Sequence, residues 1–342
     1  MEYAEHKYLQ KLIEHASLNF EESHAIMQKF LSGDFNPRLA SSILSIIAFK
    51  GEQPDELAGF ATALTEQMKK FNSPYDDLID LVGTGDDHKN AFNISTISSI
   101  ILSILGVKVA KQVRLSTSSG CASGDVLKFL GVNINAEYEN KKLCLEQENI
   151  VVLSNQDYYN VLEPIKNIES ELNIHTILSV LPVMCHPAKV KKIIIGTPDR
   201  IRASLIAKVL EITGSIDKAY VLWNEAGYDE IVPIGLTRVF IIEKNNPKKE
   251  ISLTANDFAL SGNYKVGTPI KGGTLETNLQ VLDEVDNLIP GIALDAVIMN
   301  TALGLRLSGA ASSLKLASEM IKGTLKKGDI RKKIEKLAAL TN

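Results

Sequence analysis

Three cysteines, Cys121, Cys144 and Cys185, are all that 342 residues contain, odd in number and far apart, so neither a disulfide framework nor a CxxC metal motif can be built from them. They read as small core or loop residues. The six histidines supply no metal cluster either, since His6, His15 and His24 fall in a helical N-terminal stretch while His88, His175 and His186 are scattered. A long apolar run is also missing. No stretch reaches the ~20 residues that a spanning helix needs, and the opening Met-Glu-Tyr-Ala-Glu-His-Lys is charged, which makes the cytoplasm the expected location and a membrane an unexpected partner. Positive charge is not in excess: 37 lysines and arginines face 41 aspartates and glutamates, a formal charge of -4, which leaves no broad basic surface for nucleic acid. There is no internal repeat or low-complexity tract. The length suffices for a large core and two domains.

Residues 1 to about 70 show helical periodicity with little strand signal, and Gly33 and Gly51 mark breaks between helices. From Leu78 onward the pattern changes. Short apolar segments at 78–82, 107–110, 150–153, 193–195, 220–223 and 239–242 read as strands, and helical runs at 98–105, 126–130, 203–212, 293–307 and 312–325 fall between or after them. Such alternation predicts an α/β domain with a mainly parallel sheet flanked by helices. The Lys-rich stretch from Lys322 to Lys336 reads as one solvated helical face.

The segment Asp80 to Thr96 joins the first strand to Gly83-Thr84-Gly85 and then to Asn93-Ile94-Ser95-Thr96, with Asn93, Ser95 and Thr96 as possible caps of a helix. Glycines permit positive φ and close backbone approach, and uncapped helix N–H groups attract anions. This is the build of a phosphate cradle, and equally of a tight strand-to-helix connection whose hydroxyls merely cap. A second loop, Lys111 to Asp125, adds the cations Lys111 and Arg114 and the hydroxyls of Ser116, Thr117, Ser118, Ser119 and Ser123. Further on, Asn224-Glu225-Ala226-Gly227-Tyr228-Asp229-Glu230 follows a strand and ends in adjacent carboxylates. These suit Mg²⁺, which takes one or two carboxylates plus phosphate and water, and they suit an ordinary solvated acidic loop as well.

Gly83-Thr84-Gly85-Asp86-Asp87 followed by Asn93-Ile94-Ser95-Thr96 resembles the Gly-Thr-Gly-Gly-Asp and Asn-x-Ser-Thr hallmark of anthranilate phosphoribosyltransferases. The resemblance runs nearly end to end, through Leu18 to Glu22, Leu31-Ser32-Gly33 and Lys50 to Gly59, and later through Gly272-Gly273 with Asn278 and Asn300-Thr301-Ala302. It implies a small α-helical domain, residues 1–73 with inserted helices near 160–190, and an α/β phosphoribosyl-binding domain over the rest of 74–342, of the nucleoside phosphorylase/phosphoribosyltransferase type, with a cleft between them. It also implies Mg²⁺-dependent transfer of phosphoribosyl from 5-phosphoribosyl 1-pyrophosphate (PRPP) to an aromatic amine, anthranilate, as in tryptophan synthesis. On this resemblance Gly83, Asp86, Asp87, Asn93, Ser95, Thr96, Lys111, Ser118, Ser119 and Ser123 would bind PRPP. Asp229, Glu230 and Ser95 would hold Mg²⁺, Gly83 and Arg114 would meet the acceptor, and no residue would act as nucleophile or general base. A homodimer through the helical domain is implied too. The apolar residues from Ile43 to Phe49 suit that contact or packing within the domain.

The chain also departs from the family pattern. Lys-His-Gly-Asn-Arg is Lys111-Gln112-Val113-Arg114-Leu115 here, and His-His-Pro is Tyr158-Tyr159-Asn160. The arginine that engages the anthranilate carboxylate falls near Glu169 or Ser170, and the later Arg-Thr-x-Phe-Asn pattern is reduced to His175-Thr176-Ile177-Leu178-Ser179. Asp86 puts a second carboxylate where the family has glycine, a like-charge penalty that a second Mg²⁺ could turn into a ligand. Two other readings follow: a related transferase or nucleoside phosphorylase acting on a different ring, or a non-catalytic paralogue that binds a nucleotide or nucleic acid.

Overall fold

The structure, a computed structural model, describes residues 5–342 apart from 86, 117–120, 263 and 266. The sequence expectations at Asp86, Thr117, Ser118 and Ser119 therefore lie outside the described residues. In chain order run α1 (Glu5–Ile13), α2 (Phe20–Ser32), α3 (Pro37–Lys50), α4 (Pro54–Gln67), β1 (Ile79–Gly83), α5 (Ile94–Ile104), β2 (Val109–Val113), α6 (Ser123–Phe129), α7 (Tyr138–Glu148) and β3 (Ile150–Ser154). There follow α8 (Asn155–Tyr158), α9 (Glu163–Leu172), α10 (Ile177–Val180), β4 (Lys192–Thr197), α11 (Arg200–Thr213), β5 (Lys218–Asn224), β6 (Thr237–Glu243), β7 (Lys249–Leu253), α12 (Leu275–Asp286), α13 (Ile292–Ser308), α14 (Leu314–Thr324) and α15 (Asp329–Thr341).

The chain forms two compact units. The helical one takes the chain through Lys70, Gln156–Lys189 and Leu205–Ser215; the α/β one takes Phe71–Asn155, Val190–Ser204 and Ile216–Asn342. Within the helical unit, Asn19 and Glu22 close a capping box at the start of α2, and Asn36 caps α3 ahead of Pro37. Helices α2 and α4 touch at Gly59, where a Cβ would lie 2.5 Å from the Phe20 carbonyl oxygen, so a larger residue would push them apart. Glu56 of α4 is fully buried. Its carboxylate accepts from Lys50 Nζ at 2.6 Å, the Leu18 N–H at 3.0 Å and the Gln53 N–H at 2.9 Å, and so ties the α1–α2 and α3–α4 connections together.

The α/β unit holds a seven-stranded sheet in the order β3-β2-β1-β4-β5-β6-β7, parallel from β3 through β5 and antiparallel from β5 to β7. Strands β2 and β3 are buried throughout, as expected where helices cover both faces. Helix α5 is buried nearly all round although five of its eleven residues are serine or threonine, and its Ser98 hydroxyl donates to the Val297 carbonyl of α13. The chain runs from β1 outward to β2 and β3, then returns to place β4 on the other side of β1. That reversal makes the carboxyl ends of β1 and β4 the switch point where α/β sheets bind ligands.

Three local expectations are corrected. The second strand is not residues 107–110 but Val109–Val113, which carries Lys111 into the sheet. The Lys-rich stretch is not one solvated face: it breaks between α14 and α15, and the Lys333 side chain, 11% exposed, pairs with Glu148 at 2.6 Å. Ser95 and Thr96 lie inside α5 rather than capping it. The sequence also gave no sign of β7, whose first four residues are exposed, nor of α7, whose buried positions Lys141, Cys144, Leu145 and Glu148 hide helical spacing behind two charges.

Candidate active site

Gly83, the last residue of β1, stands in register with Gly196 of β4, and the Thr84 N–H extends the ladder by donating to the Gly196 carbonyl at 3.0 Å. The two glycines open a notch. Into it comes Asp229: a Cβ on Gly196 would sit 1.5 Å from the Asp229 carbonyl oxygen, and one on Gly83 would sit 2.4 Å from its carboxylate. The Gly85 N–H, presented by a residue at φ 76°, donates to Asp229 Oδ2 at 2.6 Å. Gly196 escaped the sequence reading. The signal was there in a second apolar strand ending in Gly-Thr, Gly196-Thr197, like Gly83-Thr84.

Asp229 is delivered by a turn at the end of β5. Buried Asn224 accepts the Ala226 N–H at 2.8 Å and donates to the Ile234 carbonyl and the Thr237 hydroxyl, while Gly227 takes a positive φ of 84°. The loop after Gly85 lies over this turn. Lys89 Nζ stands 5.5 Å from the centre of the Tyr228 ring, and Asp87 Oδ2 accepts the Asp229 N–H at 3.5 Å. Asn300 of α13, another residue without an assigned role in the sequence reading, donates to the carbonyl of Ile231 at 2.7 Å and so fixes the chain just past Glu230.

The structure thus brings Asp87, Asp229 and Glu230 together, each with a carboxylate oxygen within 4.8 Å of the others. Burial and the nearby Asp87 charge push the Asp229 carboxyl up to about 7, against the lowering effect of the Gly85 N–H. Burial, Asp229 and Asp87 raise Glu230 well above the usual carboxylate range, more than Lys111 can offset. The Asp229 and Glu230 carboxyls lie in hydrogen-bond reach of one another, which without a cation only a shared proton can satisfy. An all-oxygen, anionic donor set of this kind fits a hard divalent cation.

The remaining expected donor residues surround β1. Asn93 precedes α5 without capping it, Ser95 is half-buried on its first turn, and the buried hydroxyls of Thr84 and Thr96 have no hydrogen-bond partner among the described residues. Lys111 is turned inward. Its ammonium donates to the Leu81 carbonyl at 2.5 Å and pairs with Asp80 at 3.6 Å across the β1–β2 ladder. Exposed Arg114 lays its guanidinium over Gly85 and donates to the Thr84 carbonyl at 3.4 Å. Ser123 opens α6 and accepts the Arg114 N–H at 3.4 Å. Beside it Asp125 ties the loop together by accepting the N–H groups of Ser116 and Ala122; burial pushes its carboxyl up, but these bonds outweigh it and hold it low.

A family profile described as the a/b domain of a glycosyl transferase family matches residues 75–330, and one described as the helical bundle domain of that family matches residues 6–68. Anthranilate phosphoribosyltransferase of Petrotoga mobilis is 31% identical over 98% of this chain and 96% of its own. That of Photobacterium profundum is 33% identical over 96% of each. The chain belongs to the anthranilate phosphoribosyltransferase family. It is accordingly a glycosyltransferase of the pentosyl-transferring kind. The crystal structure of anthranilate phosphoribosyltransferase from Thermus thermophilus matches it with a TM-score of 0.87 at 26% identity, over 97% of this chain and 98% of that one. The Saccharomyces cerevisiae anthranilate phosphoribosyltransferase in complex with PRPP and Mg shares the fold, with a TM-score of 0.87 at 22% identity over 98% and 97% of the two chains.

Of the positions that depart from the anthranilate phosphoribosyltransferase pattern, Tyr158, Tyr159 and Glu169 of the helical unit are engaged in structure. Tyr158 and Tyr159 are buried, and the Tyr159 hydroxyl donates to the carbonyls of Pro182 and Cys185. Glu169 accepts from the Thr176 hydroxyl at 2.6 Å, and Ser170 is exposed. Among the described residues no helix is long and apolar enough to cross a membrane.

Proposed function

We propose that this enzyme transfers the 5-phosphoribosyl group of PRPP to anthranilate with release of pyrophosphate. The C1–O bond to pyrophosphate breaks, a C1–N bond forms, and the amine gives up one proton. The observation that carries the reading is the carboxylate cluster of Asp87, Asp229 and Glu230 seated in the Gly83–Gly196 notch at the sheet's switch point. Asp229 and Glu230, with Ser95 by resemblance and Asp87 by its position, would hold Mg²⁺, whose charge when bound offsets that of the departing pyrophosphate. The Ser95 N–H at the α5 N-terminus and the hydroxyls of Thr84 and Thr96, unpartnered among the described residues, orient the diphosphate, and Arg114 adds a cation beside them. No side chain need act as nucleophile or base, because positioning the amine against C1 supplies much of the rate.

The same reading assigns residues 1–73, with the insert near 160–190, to a helical domain that mediates a homodimer, and the rest of 74–342 to PRPP binding, in a cytoplasmic enzyme. The break between the two matched profiles, at 68 to 75, supports the first boundary of this division. The pair Glu169 and Ser170 supports a second reading, an aromatic acceptor without anthranilate's carboxylate, since by resemblance the family's carboxylate-binding arginine falls near one or the other and neither is a cation. Loss of anthranilate fluorescence on adding PRPP and Mg²⁺, abolished by a chelator, is the expected result. Consumption of PRPP with other aromatic amines but not anthranilate would favour the second reading, and PRPP binding unaltered by a chelator would overturn the metal assignment.

A further inference from the structure

Gly272-Gly273 and Asn278 press on the segment that leads into α5. The Phe92 N–H donates to the Lys271 carbonyl at 3.1 Å, and a Cβ on Gly272 would lie 2.2 Å from both the Ala91 carbonyl carbon and the Phe92 nitrogen, so only glycine fits this approach. At the fourth residue of α12 the contact becomes specific. Asn278, 3% exposed, accepts with one oxygen both the Asn93 N–H at 3.0 Å and the Asn93 side-chain amide at 3.1 Å, and its own amide donates to the Thr274 carbonyl at 2.7 Å, which fixes its rotamer.

Asparagine at an N-cap position ordinarily folds its side-chain oxygen onto the helix's second or third N–H. Asn93 does not: it occupies the N-cap of α5, but its side chain makes no capping bond and is held by Asn278. We propose that Asn278 is a positioning residue that keeps Asn93 from capping its own helix, so that the Ser95 N–H, left over where the Ile94 N–H donates to the Phe92 carbonyl and the Thr96 N–H to the Asn93 carbonyl, stays open to the diphosphate of the substrate. This rests on the PRPP reading above. With the Asn278 acceptor removed, Asn93 is released to cap α5, and its oxygen competes with the incoming anion for the Ser95 N–H.

Calorimetric titration with magnesium pyrophosphate, and then with PRPP, tests this. Asn278→Ala should weaken both about tenfold, the scale of one competing cap bond with the loss of orientation added. Asn278→Asp, which keeps an oxygen for both Asn93 donors, should restore most of the affinity. In an Asn93→Ala background the same Asn278→Ala change should cost nothing further, because no side chain remains to compete. A purely structural asparagine would instead cost the same in both backgrounds. That result, or unchanged affinity in Asn278→Ala, would overturn the proposal while leaving the PRPP reading intact. A wild-type protein that binds neither ligand would bring down both.

Discussion

Two carboxylates at comparable depth show what separates a structural acid from a functional one. Glu56 in the helical unit and Asp229 in the α/β unit are 0% and 5% exposed. Glu56 is fully served, by one ammonium and two backbone N–H groups, so its charge is neutralised where it sits. Asp229 receives the Gly85 N–H but faces Asp87 and Glu230. A buried charge persists when paired, so Asp229 is an unfinished site that a cation completes and Glu56 is a finished one. Glu56 is committed to holding loops, whereas the α/β unit leaves Asp229 and the Thr84 and Thr96 hydroxyls without full partners among the described residues.

Breaking this contrast should have its largest effect at Asp229 and Glu230. Asp229→Asn with Glu230→Gln should lower turnover by roughly 10³-fold, the scale of losing preorganised stabilisation of a leaving group. Thermal stability without metal should hold or rise, because a mutual repulsion has been removed; a matching drop in melting temperature would show the pair to be structural. Glu56→Ala should do the reverse. It leaves Lys50 and two N–H groups without their acceptor and should cost about 3 kcal/mol in denaturant unfolding, with turnover of the folded fraction unchanged.

The contrast sharpens with pH. Folded Asp229 holds its proton up to about 7 where an unfolded aspartate releases it near 3.8, so its contribution to stability is complete below that lower value and is lost as pH rises through 7. Metal-free protein should therefore lose a few kcal/mol between roughly pH 4 and pH 8 from this cluster, the linkage expected of a shift this large. Mg²⁺ at pH 8 should return most of it by taking the proton's place. The same melting curves on the Asn/Gln double variant should lack both the pH-dependent loss and the Mg²⁺ rescue.

How much of this was legible in sequence differs from element to element. The apolar strands, the glycine turn after β1 and the Asp229-Glu230 pair were all readable, because each is a local pattern. What escaped depends on neighbours that only folding supplies. Lys111 read as a loop cation since the strand was expected to stop at Ala110; three further residues of β2 carry it beside Asp80, a partner 31 positions earlier in the chain. Asn93 read as a cap because its rival, Asn278, lies on a different helix. Strand β7 carries its polar residues on an exposed edge and offers no apolar run to find. Asp87 was placed with the diphosphate, and its approach to Asp229 depends on a loop crossing a turn more than a hundred residues distant.

The smallest expected effect concerns Arg114, and it bears on which region reads the acceptor. Its guanidinium is exposed, makes one long hydrogen bond to the Thr84 carbonyl and covers Gly85, so it is held by geometry more than by strong bonds. An exposed charge is screened by water and salt, and its loss should cost less than the buried cluster does. Arg114→Ala should therefore raise the KM for PRPP by about fivefold, with most of the change gone at high salt. If Arg114 instead pairs with a carboxylate on the acceptor, the KM for anthranilate should move and that for PRPP should not, and Arg114→Lys should recover it only in part because a bidentate fork is lost. Measuring the two KM values side by side at two ionic strengths therefore decides whether this cation belongs to the retained donor loops or to the altered acceptor side.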